Sequence, residues 1–144
     1  MTRNLCIDDR SELFEAAGGQ TLGAGPTTIT FDTVARSDTG FITTPSGIII
    51  PDAGRYDLRC FVSIGGNSNS RTTYRTDLLV DAIVVASGFS YHRTGALNNI
   101  DTVTLFRDVQ INSGQTVSIQ ATRIQGTTNG TIQANGACFR ATRA

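Results

Sequence analysis

The 144-residue sequence contains no lysine and no tryptophan, and it has only one histidine and one methionine. A Ser-His-Asp or Cys-His catalytic arrangement would have to use that histidine, His92, which lies in a predicted loop rich in glycine and asparagine. The acidic residues are scattered, without the spacing of a calcium-binding loop. We therefore expect no catalytic residues, no bound metal and no cofactor, and a protein that is not an enzyme.

All twelve basic residues are arginine, and they balance twelve acidic residues. The zero net charge provides no bulk electrostatic attraction for nucleic acid or for an anionic membrane, so we expect neither as a partner. The exclusive use of arginine has two explanations, which the sequence leaves open. It reflects codon usage, or it supplies planar groups for bidentate contacts between subunits.

Cysteine is also scarce. The three cysteines Cys6, Cys60 and Cys138 are odd in number and widely spaced, and they form no metal-ligand pattern. Cys60 and Cys138 fall in alternating apolar segments and are predicted to be small buried hydrophobic residues. The first residues lack the apolar run of a secretion signal, and no segment approaches the length of a membrane span. We expect the chain to fold in a reducing cytoplasm.

Residues 1–26 differ in pattern from the rest of the chain and are predicted to form an N-terminal arm. Within segment 7–17, Asp9 and Glu12 have the spacing of a helix capping box, and a glycine pair follows, which predicts a short helix. Residues 23–26 are then predicted to be a linker. The apolar side chains of the arm are expected either to pack back on the domain or to dock on a neighbouring subunit or larger assembly. These side chains are Leu5, Ile7, Leu13 and Phe14.

From residue 27 to 144, apolar and polar residues alternate between turn signals. In the stretch 46–64, a short apolar run ends at Pro51, Gly54 is predicted to supply a positive φ in the turn, and a long strand follows. One face of that strand is apolar, and the other is polar except for Phe61. The apolar face comprises Tyr56, Leu58, Cys60, Val62 and Ile64. Eight or more such strands predict one all-β domain over 27–144, a sandwich or jelly roll.

The order of residues in 47–58, Gly-Ile-Ile-Ile-Pro-Asp-Ala-Gly-Arg-Tyr-Asp-Leu, resembles the G-x-F-x-x-P-x-x-G-x-Y-x-F core of the complement globular-head and tumour necrosis factor-like superfamily. Segments 29–32, 109–119 and 137–141 resemble the opening strand, a hairpin and the closing strand of that family. The residues that carry the core of the resemblance are Gly47, Pro51, Gly54 and Tyr56.

The resemblance implies a ten-strand, two-sheet antiparallel jelly roll that assembles as a homotrimer. Such an architecture is a platform for binding or for building structures, and the fold alone does not select the partner. Phe61, the one large apolar residue on its polar face, and Phe139, in the closing strand, are the candidates for the trimer interface.

A trimeric protein that is made in a cytoplasm and carries a short apolar arm fits a structural role in a virus particle. By analogy with phage proteins that use such jelly rolls, the resemblance leads us to expect a bacteriophage capsid decoration, or cement, protein on the virion surface, bound to the major capsid protein through the arm and the trimer base. The alternative is the receptor-binding tip of a tail fibre, whose loops around 65–70, 92–99 and 125–131 would read a host glycan or protein. A sugar-modifying enzyme on a jelly-roll scaffold is disfavoured by the missing His/Glu cluster.

Overall fold

The computed structural model describes residues 9–66, 71–92, 99–127 and 129–144. In these ranges the chain forms twelve β-strands and no helix, so none of it is a helix long and apolar enough to cross a membrane. The strands are β1 Arg10–Glu15, β2 Thr21–Leu22, β3 Thr27–Thr28, β4 Thr33–Ser37, β5 Ile42–Thr44, β6 Gly47–Ile49, β7 Gly54–Gly66, β8 Thr72–Val80, β9 Ile83–His92, β10 Asn99–Ile111, β11 Thr116–Gln125 and β12 Gly130–Arg143.

The strands form two antiparallel sheets that pack face to face. The first sheet has the order β10-β7-β12-β1-β4, with β2 beside β12, and the second has the order β5-β6-β11-β8-β9, with β3 beside β11. From β7 onward the chain crosses between the sheets repeatedly: β7, β10 and β12 lie in the first, and β8, β9 and β11 in the second. The predicted all-β, two-sheet antiparallel sandwich of jelly-roll type is confirmed.

The core lies between the sheets and is built from alternate residues of each strand. The predicted apolar face of β7 is confirmed, because its five residues are all buried. Phe139 of β12 is fully buried as well, and its ring lies 6.5 Å from that of Phe31. The prediction that Phe139 contributes to a trimer interface is therefore wrong, because its side chain fills the interior of its own subunit.

The segment that carries the family resemblance joins β6 to β7. Gly47 lies so close to β11 that a β-carbon there would be 2.6 Å from the carbonyl oxygen of Val117. The carbonyl oxygen of Pro51 accepts a hydrogen bond of 2.7 Å from the Ser113 hydroxyl. Gly54 begins β7 without a positive φ, so that prediction is wrong. The chain turns between residues 50 and 54, and none of these residues has a positive φ.

The predicted N-terminal helix is wrong for residues 10–15, which form β1. This strand lies between β12 and β4 and pairs with both, so its backbone groups are bonded on either side. Its burial alternates with a period of two, and Leu13 is a core residue. A short isolated helix has no comparable tertiary support. Residues 10–22 thus belong to the sandwich rather than to a separate arm, whereas Leu5 and Ile7 lie outside the described residues.

Candidate functional site

The outer face of the first sheet carries a row of half-buried apolar side chains. Phe14 of β1 is opposite Cys138 of β12, and Cys138 is in turn opposite Phe61 of β7. All three point away from the core, because their neighbours along each strand point into it. We call Phe14, Cys138 and Phe61 the apolar row. A residue from the predicted arm and a residue predicted for the trimer interface therefore meet on one surface.

A row of charged side chains runs directly beside the apolar row. Glu12 is opposite Arg140, and Arg140 is opposite Arg59. An Arg59 terminal nitrogen lies 3.0 Å from the carboxylate of Asp57, whose hydrogen bond and charge raise the pKa of Arg59. At the far side of the sheet, Arg36 is opposite Glu12. The border of the apolar row thus holds three arginines, Arg36, Arg140 and Arg59, and one carboxylate, Glu12.

An open cavity of about 240 Å³ lies between Phe61 and Cys138 of the apolar row and the charged side chains beside them. This volume is below the usual range of small-molecule sites, about 300–1,000 Å³, and suits one or two protruding side chains. Its lining includes Glu12, Arg59, Phe61, Thr104, Cys138 and Arg140.

The cysteines at the cavity are poor nucleophiles. Burial, followed by the adjacent Glu12, raises the pKa of the Cys138 thiol to about 11. The same desolvation raises the pKa of Cys60 to about 12. Both thiols are therefore protonated at neutral pH, and the Cys138 thiol lies 3.5 Å from Glu12 Oε1 as a weak hydrogen-bond donor. The cavity offers shape, apolar surface and charge rather than covalent chemistry.

A second uncovered apolar surface lies at the edge of the sandwich where β9 and β10 run side by side. Each is the last strand of its sheet and pairs on one side only. Phe106 on β10 is 75% exposed and Ile83 on β9 is 69% exposed, and Val84 and Ile100 are exposed along the same edge. We call these four residues the apolar edge. An unpaired edge with exposed apolar side chains is a site for association with another chain.

The single histidine belongs to the interior packing. His92 is buried, its Nε2 lies 2.8 Å from the carbonyl oxygen of Ile64, and its ring packs edge-on against Tyr74. Within the described ranges no three His, Cys, Asp or Glu residues are grouped to hold a metal ion. The loops proposed to read a receptor fall partly outside the described residues, but the strand ends that flank them come together: residue 65 is opposite both 100 and 131, and 72 is opposite 92.

The sequence identified Phe14 and Phe61 but not the partners that complete the surface around them. Cys60 is buried as predicted, but the prediction for Cys138 is wrong, because it is half-buried on the outer face. Arg140 and the exposed Phe106 were not identified, although the period-two phase of β12 and β10 was available as a signal. No protein-family model matches the chain, and no curated protein matches it in sequence.

Proposed function

We propose that this protein is a structural virion protein, a homotrimeric jelly roll of the tumour necrosis factor-like kind that decorates and cements a bacteriophage capsid. The architecture is compatible with the family assignment, since two antiparallel sheets pack as a sandwich, with six strands in each rather than the five that the resemblance implies. Two of the four motif residues are explained by their surroundings. Gly47 lies too close to β11 for a side chain, and Tyr56 is buried in the core.

The observation that carries the proposal is the outer face of the first sheet. Its centre is the apolar row and its border is arginine-rich, which is the composition of protein–protein interfaces: an apolar, aromatic centre, enriched arginine and a polar rim. Arg140 lies beside the cavity, where its planar guanidinium can make bidentate contacts to a partner, and Arg59 lies next to it, paired with Asp57. Of the two explanations for the exclusive use of arginine, this proposal favours contacts between subunits.

The partner that suits this face is the apolar edge of a second copy. Phe106 is opposite Arg59, so the edge adjoins this face. A contact between the apolar row of one subunit and the apolar edge of the next is head-to-tail rather than two-fold symmetric, and such a contact produces a ring when it closes. Phe106 protrudes from the edge, and the cavity has room for one or two side chains. The family resemblance implies a ring of three subunits. A stable contact between two of them needs about 800 Å² of buried surface per partner.

Attachment to the capsid is assigned to the segment that precedes β1. Arg10 is opposite Thr142 near the end of β12, whereas the flanks of 67–70 and 93–98 lie at the other end of the sandwich. The first residue of β1 therefore lies at the end opposite those flanks. This end is the proposed base, and the opposite end faces outward from the particle.

The test is the mass of the purified full-length chain, by light scattering coupled to size exclusion. We expect a trimer, and we expect Phe61→Glu to give a monomer, because it places a charge in the apolar row. Ile124→Glu on the second sheet is the matched control and should remain trimeric. A monomeric wild type at micromolar concentration, or a trimeric Phe61→Glu, would contradict the assembly.

Particle composition tests the location. Quantitative mass spectrometry of purified virions should find hundreds of copies per particle on the capsid. A few copies would instead favour the tail-fibre tip, and absence from the particle would overturn both assignments.

A further inference from the structure

Two exposed aromatic rings lie side by side on the outer face of the second sheet, on the same strand as Ile83 and Val84 of the apolar edge but toward its other end. Phe89 is 46% exposed and Tyr91 is 61% exposed. They occupy alternate positions of β9, so both point outward, while Ser90 and His92 point into the core. Their ring centroids are 6.5 Å apart with planes only 28° from parallel.

Polar side chains flank the rings on the neighbouring strand. Arg75 is opposite Phe89, and Thr73 is opposite Tyr91. Arg75 Nε donates a 3.1 Å hydrogen bond to Asp77, a buried carboxylate that also accepts 2.6 Å from Ser87. The ion pair between Arg75 and Asp77 fixes the position of the Arg75 guanidinium, which is half exposed, beside Phe89.

Hydrogen bonds also fix the residues at the position of Tyr91. Thr73 Oγ1 donates to Gln125 Oε1 at 3.1 Å, and the Tyr91 backbone N–H donates to Asp101 Oδ2 at 2.7 Å. The strand that presents the rings is therefore anchored from both sides. Little conformational entropy remains to be lost when a ligand settles on them.

We propose that Phe89 and Tyr91 form a platform that binds a neutral glycan. A pyranose ring presents an apolar C–H face that packs on an aromatic ring, and its hydroxyl groups take hydrogen bonds from planar polar groups at the rim. Arg75 and Gln125 supply such groups beside the rings. The two rings, 6.5 Å apart, offer apolar surface for one or two sugar units, and the polar side chains lie at their rim.

The size of the surface favours a glycan over a protein. At roughly 150–250 Å² per aromatic side chain, the two rings together expose on the order of 200 Å². A stable protein contact needs about 800 Å² per partner. The platform is also interrupted toward the middle of β9 by Ser87, which is bonded to the buried Asp77. A few sugar residues would cover it, whereas a protein would have to extend over polar neighbours.

The experiment titrates the full chain with methyl glycosides of glucose, galactose, mannose and N-acetylglucosamine and with their neutral oligosaccharides. Saturation-transfer NMR detects the contact, and tyrosine fluorescence reports where it is made. The chain has three tyrosines and no tryptophan, and Tyr56 and Tyr74 are buried, so Tyr91 is the one exposed emitter. We expect a response to at least one sugar with a Kd on the order of 1 mM.

Variants locate the site. Phe89→Ala and Tyr91→Ala should each weaken binding about tenfold, the loss expected for one stacking contact. Tyr91→Phe keeps the ring and should retain most of the NMR response, and Val34→Ala, an exposed apolar position on β4, should behave as wild type.

Three results would overturn the platform. They are no response to any sugar, unchanged binding in the double variant Phe89→Ala with Tyr91→Ala, or a changed oligomeric mass in that double variant, which would make the rings a contact between copies. A monomeric wild type that binds sugar would remove the trimer and leave the platform in place.

Discussion

The hydroxyl of Tyr56 donates a hydrogen bond of 2.8 Å to the backbone carbonyl oxygen of Asp52. The ring is fully buried and packs edge-on against Phe41, so the side chain ties the turn between β6 and β7 to the core. Burial is also the main reason that the pKa of Tyr56 is raised. The Pro-x-x-Gly-x-Tyr order thus places a tyrosine where its apolar body fills the core and its hydroxyl satisfies the turn.

Removing only that hydroxyl separates the two roles of Tyr56. We expect Tyr56→Phe to cost about 1 kcal/mol in the free energy of unfolding, because one hydrogen bond is lost and the ring stays. Tyr56→Ala should cost about 3–5 kcal/mol, because a cavity forms. Urea unfolding followed by circular dichroism measures both. Tyr91→Phe is the matched exposed control and should change stability by less than about 0.5 kcal/mol; an equal loss in both Phe variants would refute the role of the bond.

The two glycines of the motif are predicted to differ in their tolerance of a side chain. A β-carbon at Gly47 would lie 2.6 Å from a backbone oxygen of β11, whereas at Gly54 the nearest atom is 4.0 Å away. Gly47→Ala should therefore cost about 1–3 kcal/mol through strain between β6 and β11. Gly54→Ala should be within about 1 kcal/mol of wild type in either direction. Thermal unfolding of the two variants side by side decides the matter, and similar midpoints would show that the close approach at Gly47 is easily relieved.

The sequence was sufficient for the fold because the informative patterns are local. The alternation from Tyr56 to Ile64 follows from neighbouring residues alone, and all five residues of its apolar face are buried. The error at residues 10–15 has a different origin. The spacing of Asp9 and Glu12 suits a helix cap, but residues 10–15 also have the alternation of a strand. The strand is selected by pairing with β12, which lies at the other end of the sequence.

The site could be predicted only in part, because it depends on register between distant strands. Phe61 was recognisable as an apolar exception on a polar face. Its alignment with Cys138 and Phe14 requires pairings that single-strand periodicity does not contain. Phe139 was misassigned for a related reason. It was placed by its position in the closing strand, but it alternates with Cys138 and Arg140 and faces the core.

Asp32 is predicted to make the fold sensitive to acid. Its carboxylate accepts hydrogen bonds of 2.9 Å from the backbone N–H groups of Ala16 and Ala17. These bonds, that from Ala16 first, hold the pKa of Asp32 well below its usual value of 3.8. Because the folded-state pKa is the lower one, the ionised group stabilises the fold above the unfolded-state pKa. That stabilisation is lost as pH falls through the folded-state pKa.

Asp32→Asn should consequently lower the unfolding midpoint at pH 7, and the difference from wild type should shrink as the pH is lowered below about 4. Thermal scans at several pH values between 7 and 2.5 measure this difference. Asp108→Asn loses only an exposed ion pair with Arg55 and should stay near wild type throughout. A difference for Asp32→Asn that does not change with pH would contradict the assignment to its charge.

Truncation at the N-terminus should separate folding from attachment. Removing residues 1–8 leaves β1 intact and keeps Asp9, whose carbonyl oxygen accepts a 2.8 Å hydrogen bond from the Arg143 N–H. We expect this variant to keep the unfolding midpoint of the full chain. Removing residues 1–26 deletes β1 and β2, exposes the edges of β12 and β4, and takes Leu13 from the core, so that variant should not fold.

The shorter truncation is therefore the one that tests the anchor. If Leu5 and Ile7 attach the protein to a capsid, residues 9–144 should fold and assemble as the full chain does but fail to co-sediment with particles that lack the protein. The full-length double variant Leu5→Ser with Ile7→Ser should fail in the same way, since it removes the apolar side chains while keeping the chain length. Normal particle binding by either variant would move the attachment to the base of the sandwich itself, where Arg10 and Thr142 meet.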